Sequence, residues 1–248
     1  YDLLIRHFKT TSLKGFGIEE LTEGVTSAGA ILHYLNETEH REVGHITRVN
    51  RIEEERYVWL DRFTIRNLEL IHAQQIEGVP LIDVLDHTKT PMGARMLKKW
   101  LILPLKDITP IQERLDTVEL LVKDADFAAT LNDELKPIGD LERLISKVAA
   151  RRVNPREMVQ LKRALERLNP IKEALKKQGQ HVLLKLEEQI NPCEYLAGRI
   201  LNMLKEDAPV LTNLGRIIKD GCNAELDELR AIAYKGKDFL MQIQQREI

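Results

Sequence analysis

DVLDHTKTPMGARMLKKWLILPLKD, residues 83–107, is the stretch whose reading decides the fold. Both ends of a helix are written in its middle. Thr90 offers a hydroxyl that can accept an orphan N–H of a first turn, and Pro91 follows where its missing N–H costs nothing. Met92, Met96 and Trp100 recur at helical spacing with Leu97 and Leu101 beside them, which makes one broad face apolar. Arg95, Lys98 and Lys99 share another face. Pro104 closes the segment, because the residue before a proline is pushed out of the α region. The stretch predicts a central core helix with one basic side.

The same punctuation recurs downstream. Asp61 is placed to cap a segment carrying Ile65, Leu68 and Leu70, which Gly78-Val79-Pro80 breaks. Thr109-Pro110-Ile111-Gln112 reads as a capping box, followed by a stripe of Ile111, Leu115, Val118 and Val122 that should be buried. Asp140 is the expected cap of a helix striped by Leu141, Leu144, Ile145 and Val148. Asn154-Pro155-Arg156-Glu157 and Asn191-Pro192-Cys193-Glu194 repeat cap, proline and reaching-back glutamate. Met158, Leu161, Leu165, Leu168, Ile171 and Leu175 then share a face, with Pro170 imposing a kink or a division into two helices and Gly179 ending the run. Ile217 and Ile218, between glycines, read as extended. From Asn223 onward, Leu226, Leu229, Ala233, Gly236, Leu240 and Ile243 alternate gaps of three and four, the seam of a long paired helix on the order of 40 Å.

Upstream the signals are mixed. Residues 3–8 fit a short helix or a strand. Gly15-Phe16-Gly17 lacks the further glycine and lysine of a phosphate loop and reads as a turn before a helix faced by Leu21, Val25, Ala28, Ile31, Leu32 and Leu35. Residues 45–49 and 57–60 are β-branched and aromatic runs around a charged segment, which predicts a small β ribbon. The expected class is therefore all-α: a multi-helix body with that ribbon near its N-terminus and a long final helix.

Bulk composition narrows the function classes. The chain has 248 residues, 43% hydrophobic and 31% charged, with a formal net charge of −2, so no global field draws it to nucleic acid. Cys193 and Cys222 stand alone, as suits a reducing cytosol. No apolar run approaches the roughly 18 residues of a membrane span. A soluble cytoplasmic chain is expected. Tyr1 is not an initiator methionine and residues 242–248 are still mid-pattern, so the chain reads as a piece of a longer protein.

Catalytic signatures are missing. There is no HExxH, no CxxC pair and no phosphate loop, and His40 and His45 share no common face. The acidic pairs Glu187-Glu188 and Asp227-Glu228 read as helix electrostatics. No catalytic, cofactor or metal residue is assigned. Basic clustering is the one feature with a claim to function. Residues 143–167 hold Arg143, Lys147, Arg151, Arg152, Arg156, Lys162, Arg163 and Arg167 against Glu157 and Glu166, a local excess of six. Such a face can meet phosphates, lie solvated, or dock an acidic neighbour. It lacks interleaved aromatics and a groove-binding motif.

Four stretches in order resemble the MutS family of DNA mismatch-recognition ATPases. They are residues 83–107 quoted above, LDRFTIRNLEL (60–70), IGDLERLISKVAARRVNPREMVQLKRAL (138–165) and GCNAELDELRAIAYKGKDFL (221–240). The resemblance implies the bacterial mismatch-recognition type, and within it the central core, or lever, domain. Residues 1–42, with AGAILHYLNET (28–38), correspond to the end of a connector and its linking helix. Residues 43–221 form the core, and residues 222–248 begin the helix that enters a DNA clamp. The family's Phe-x-Glu wedge does not occur, Phe16-Gly17-Ile18-Glu19 having the wrong spacing, and its Walker motif is absent too.

The implied function is a non-catalytic body that transmits conformational change in DNA mismatch repair. ATP and Mg would be bound elsewhere in the parent. DNA would be met mainly through other domains, by a dimer that works with downstream repair proteins and is associated with the nucleoid, not with a membrane. Two alternatives stay open: an autonomous DNA-binding module using the 143–167 face, or the core of a paralogue in another DNA transaction.

Overall fold

The computed structural model describes residues 1–38 and 43–246, with residues 54, 214, 234 and 237–246 given through their backbone alone. His40 lies outside the described residues, as do the side chains of the expected seam residues Leu240 and Ile243. The class is all-α. Among the described residues the extended backbone pairs only at two isolated antiparallel bridges, Tyr57 with Leu105 and Leu204 with Ile218.

The chain divides into two compact units: residues 1–153 with 164–192, and residues 154–163 with 193–248. In the first unit, α1 (Asp2–Phe8) and α2 (Thr22–Glu37) enclose a small core of Leu4, Leu13, Ile18, Val25, Leu32 and Val43. The run at residues 3–8 is thus helical. Lys14–Phe16 is a 3-10 turn before α2. Then come α3 (Arg62–Asn67), α4 (Leu81–Leu85), α5 (Pro91–Ile102), α6 (Ile108–Lys123), α7 (Ala125–Leu135) and α8 (Leu141–Ala149). α9 (Pro155–Glu166) leads into α10 (Leu168–Gln178) and α11 (His181–Gln189). A second core gathers Phe127, Ile138, Ala164, Ile171, Leu175 and Leu183, with Met92, Leu120 and Leu121 packed against it. The second unit holds the first turns of α9, then α12 (Glu194–Met203), a loop, and α13 (Ala224–Arg246).

Local capping chemistry is realised at most of the expected places. Thr90 accepts from the Gly93 N–H at 3.1 Å, and Pro91 opens α5. Gly93 sits in a tight spot there, since a Cβ would lie 3.3 Å from both the Thr88 Cβ and the Thr90 hydroxyl. Asp61 and Asp140 cap α3 and α8. Asn154 and Glu157 exchange both bonds of a capping box, 2.9 and 3.0 Å. Asn223 caps α13. Pro170 divides its run into two helices and stands in the first turn of α10, where a missing N–H is tolerated.

Several expectations fail for physical reasons. No β ribbon joins residues 45–49 to 57–60. The charged run between them curls into a 3-10 turn at Glu54–Arg56, and Val58 donates instead to the Pro104 carbonyl at 2.8 Å. α3 stops at Asn67 because Glu69 turns left-handed, φ 48°, well before Gly78. α6 starts after Asp107, one residue before Thr109 is reached, and Gln112 donates to Asp116 on its own helix instead of reaching back. α12 starts at Glu194 behind a left-handed Cys193, two residues later than the Asn191 cap implied.

Two stripes expected in the core are on the surface. α5 buries no residue fully, with Met96 56% and Trp100 42% exposed, so it is not a core helix. α6 leaves Leu115, Val118 and Val122 exposed and packs through Leu120 and Leu121.

Candidate nucleic-acid interface

The basic residues at 143–167 belong to both compact units. Arg143, Lys147, Arg151 and Arg152 fall in the first compact unit, and Arg156, Lys162 and Arg163 in the second. α8 sets Arg143 in its first turn, exposed, and Lys147 half-buried in its last turn. The helix ends in a turn where Arg151 is left-handed, φ 54°, and both Arg151 and Arg152 are exposed.

In the second unit one cation is buried and the other two, exposed, meet protein acceptors. Lys162 is buried, 5% exposed, and donates to the Glu206 carboxylate. Arg163 donates to the same carboxylate at 3.0 Å and to the Glu206 carbonyl at 3.4 Å. Two cations on one acid hold the Glu206 carboxyl below the usual carboxylate range, Lys162 first and Arg163 second. Arg156 reaches the Ala208 carbonyl at 3.4 Å. Arg167, in the first unit, pairs with Glu134 at 3.3 Å.

The basic side of α5 is also partly neutralised. Arg95 straddles the start of α8, donating to both Asp140 oxygens at 2.7 and 2.9 Å and to Glu142 at 2.6 and 2.9 Å. That bidentate grip, with the Arg143 N–H added, lowers the Asp140 carboxyl to about 2 and raises Arg95. Lys98 and Lys99 stay exposed. Next to them, the Arg114 guanidinium lies 3.6 Å from the centre of the Trp100 ring and joins α6 to α5.

Sequence reasoning did not find the acids Asp140, Glu142 and Glu206 as partners, because they lie about 45 residues from their cations and no local spacing announces them. It also passed over Arg230, whose i,i+3 spacing from Asp227 was a legible pairing signal. Among the described residues, no group of three or more His, Cys, Asp or Glu is placed to hold a metal ion, and no helix is long and apolar enough to cross a membrane. Exposed cations within reach of phosphates include Arg143, Arg151 and Arg152 of the first unit. That arrangement can add salt-dependent contacts but carries no base-reading geometry.

A family model described as MutS domain III matches residues 63–247. The DNA mismatch repair protein MutS of Cytophaga hutchinsonii is 86% identical over 248 residues, all of this chain and 29% of that relative. The proteins of the same name from Parabacteroides distasonis and Bacteroides fragilis are 51% and 53% identical over 247 and 244 residues, each covered over 28% of its length. The chain spans less than a third of the curated relatives it matches.

Proposed function

The chain belongs to the MutS domain III family, and from that premise we propose that it is the lever of a mismatch-repair ATPase: a non-catalytic helical body that couples domains on either side of it. The observation that supports the reading is α13, a 23-residue helix whose capped first turns are held in a compact helical unit and whose length carries motion away from it. At about 1.5 Å per residue such a helix converts a small tilt at its root into a displacement several times larger at its far end. Coupling two sites needs an element with distinct arrangements that both sites bias, and in this proposal the orientation of α13 is that element.

On this reading ATP and Mg are bound, and hydrolysis occurs, in other domains of the parent. DNA is gripped mainly by a clamp beyond α13, in a dimer that hands on to downstream repair proteins. The exposed Arg143, Arg151 and Arg152 side chains favour a second, weaker role in which the chain brushes the DNA backbone without reading sequence.

The experiment is a chimera in which this chain replaces the matching segment of the Cytophaga hutchinsonii relative. Leu229→Pro places a proline inside α13, at a cost of about 3 kcal/mol to the helix. Basal ATP hydrolysis should survive, while its stimulation by mismatched DNA should be lost. Full mismatch stimulation in a folded Leu229→Pro chimera would overturn the lever assignment.

A further inference from the structure

α13 leaves its unit through a polar joint. Its first turn is capped by Asn223, which accepts from the Leu226 N–H at 3.0 Å. Asp227 accepts from the Gly221 N–H at 2.7 Å. One turn along, the Arg230 guanidinium reaches back over this junction. It donates from Nη1 to Asp220 at 2.7 Å and to Asp227 at 3.2 Å, and from Nη2 to the Ile218 carbonyl at 2.9 Å. Ile218 forms an antiparallel bridge with Leu204, and on either side of it Lys205 donates to the Ile217 carbonyl and Lys219 to the Met203 carbonyl, both at 2.9 Å. One side chain therefore ties α13 to the loop before it, and that loop is stitched to the end of α12.

Leu229 and Ile232 do little of this work. Leu229 is 58% and Ile232 60% exposed, while the Arg230 side chain is only 23% exposed. A planar fork can hold Asp220, Asp227 and a carbonyl together, whereas an ammonium is a point charge on a flexible stem. We propose that Arg230 is the positioning residue of the joint: it fixes the direction of α13 relative to α12, and so sets how much of a shift in the body reaches the far end of the helix. The coupling half of this rests on the lever reading above. The positioning half does not.

Two measurements separate the halves. In this chain, with Cys193→Ser and Cys222→Ser as background, spin labels at Tyr195→Cys on α12 and Ile232→Cys on α13 should give one narrow distance distribution. Arg230→Met should broaden it and Arg230→Lys should broaden it less, with helix content unchanged. In the chimera, Arg230→Met should reduce mismatch stimulation of ATP hydrolysis about tenfold, a typical coupling loss, with basal turnover retained. An unchanged distance distribution in Arg230→Met overturns the proposal. Broadening with full mismatch stimulation overturns its coupling half. If Leu229→Pro abolishes stimulation while Arg230→Met does not, the lever reading stands and the role of Arg230 in it falls. If neither substitution affects stimulation, the lever reading itself falls.

Discussion

The α9–α10 run and α6 carry apolar stripes of similar regularity, and they meet opposite fates. In the first, Leu161, Leu165, Ile171 and Leu175 are buried, none more than 7% exposed, and Met158 and Leu168 are half-buried. On α6, Leu115, Val118 and Val122 are 55%, 56% and 76% exposed. Periodicity reports which face of a helix is apolar. It does not report whether this chain supplies the surface that covers it. The ends of the same elements behave differently, because a cap is satisfied within a few residues and needs no distant partner.

The contrast sets a scale of expected effects. The largest belongs to the buried stripe: Leu175→Ala should cost about 2–5 kcal/mol in urea unfolding of the chain, as deletion of a core leucine does. A loss below the lower figure would mean that α10 is less enclosed than its 5% exposure at this residue indicates.

Next comes the local chemistry at the start of α9. Asn154→Ala removes one half of a closed capping box and should cost about 0.5–2 kcal/mol, read from the shift in the urea midpoint at constant slope.

A smaller, pH-dependent effect comes from Asp140. Its folded-state pKa is about 2 against an ordinary 3.8, so its contribution is present in full above about pH 4 and fades as pH falls through the folded value. Glu206 is shifted in the same direction by Lys162 and Arg163 and adds to the same acid loss. Arg95→Met should flatten the Asp140 part. An unfolding profile between pH 5 and 2 that is identical with and without Arg95 would remove that grip from the account of α5 and α8.

The smallest effect belongs to the exposed stripe. Leu115→Ala and Val118→Ala should each change the chain's stability by no more than about 0.5 kcal/mol, like other surface substitutions. A loss comparable to that of Leu175→Ala would erase the contrast between the two stripes.

These differences also mark how far the sequence could be read. The caps at Asp61, Thr90, Asp140, Asn154 and Asn223 were legible, since each acceptor lies three residues from its donor. The interruption at Pro170 and the extended Ile217–Ile218 piece were legible for the same local reason, though not that Pro170 divides the run instead of kinking it. Exposure of Met96 and Trp100 was not, because nothing in a helical repeat tells which faces find a partner. The β ribbon failed because Tyr57 pairs across 48 residues with Leu105, a match that strand propensity cannot rank against its neighbour. At the basic stretch the cations were found and their acids were not. Of the three roles open to Lys162 and Arg163, phosphate contact, solvation and docking of an acid, the observed one is an acid within the same unit, Glu206, which accepts from both.

That last point makes the chain's own affinity for DNA the most direct test of its standing as a coupling body. Fluorescence anisotropy of the 248-residue chain with matched and mismatched duplexes near physiological salt should show weak binding, in the range of about 10⁻⁴–10⁻⁶ M typical of non-specific contacts. It should be equal for the two duplexes and fall steeply with added salt. Submicromolar binding that prefers the mismatch, and that collapses when Arg143, Arg151 and Arg152 become alanine, would contradict it and make this chain a DNA-reading module in its own right.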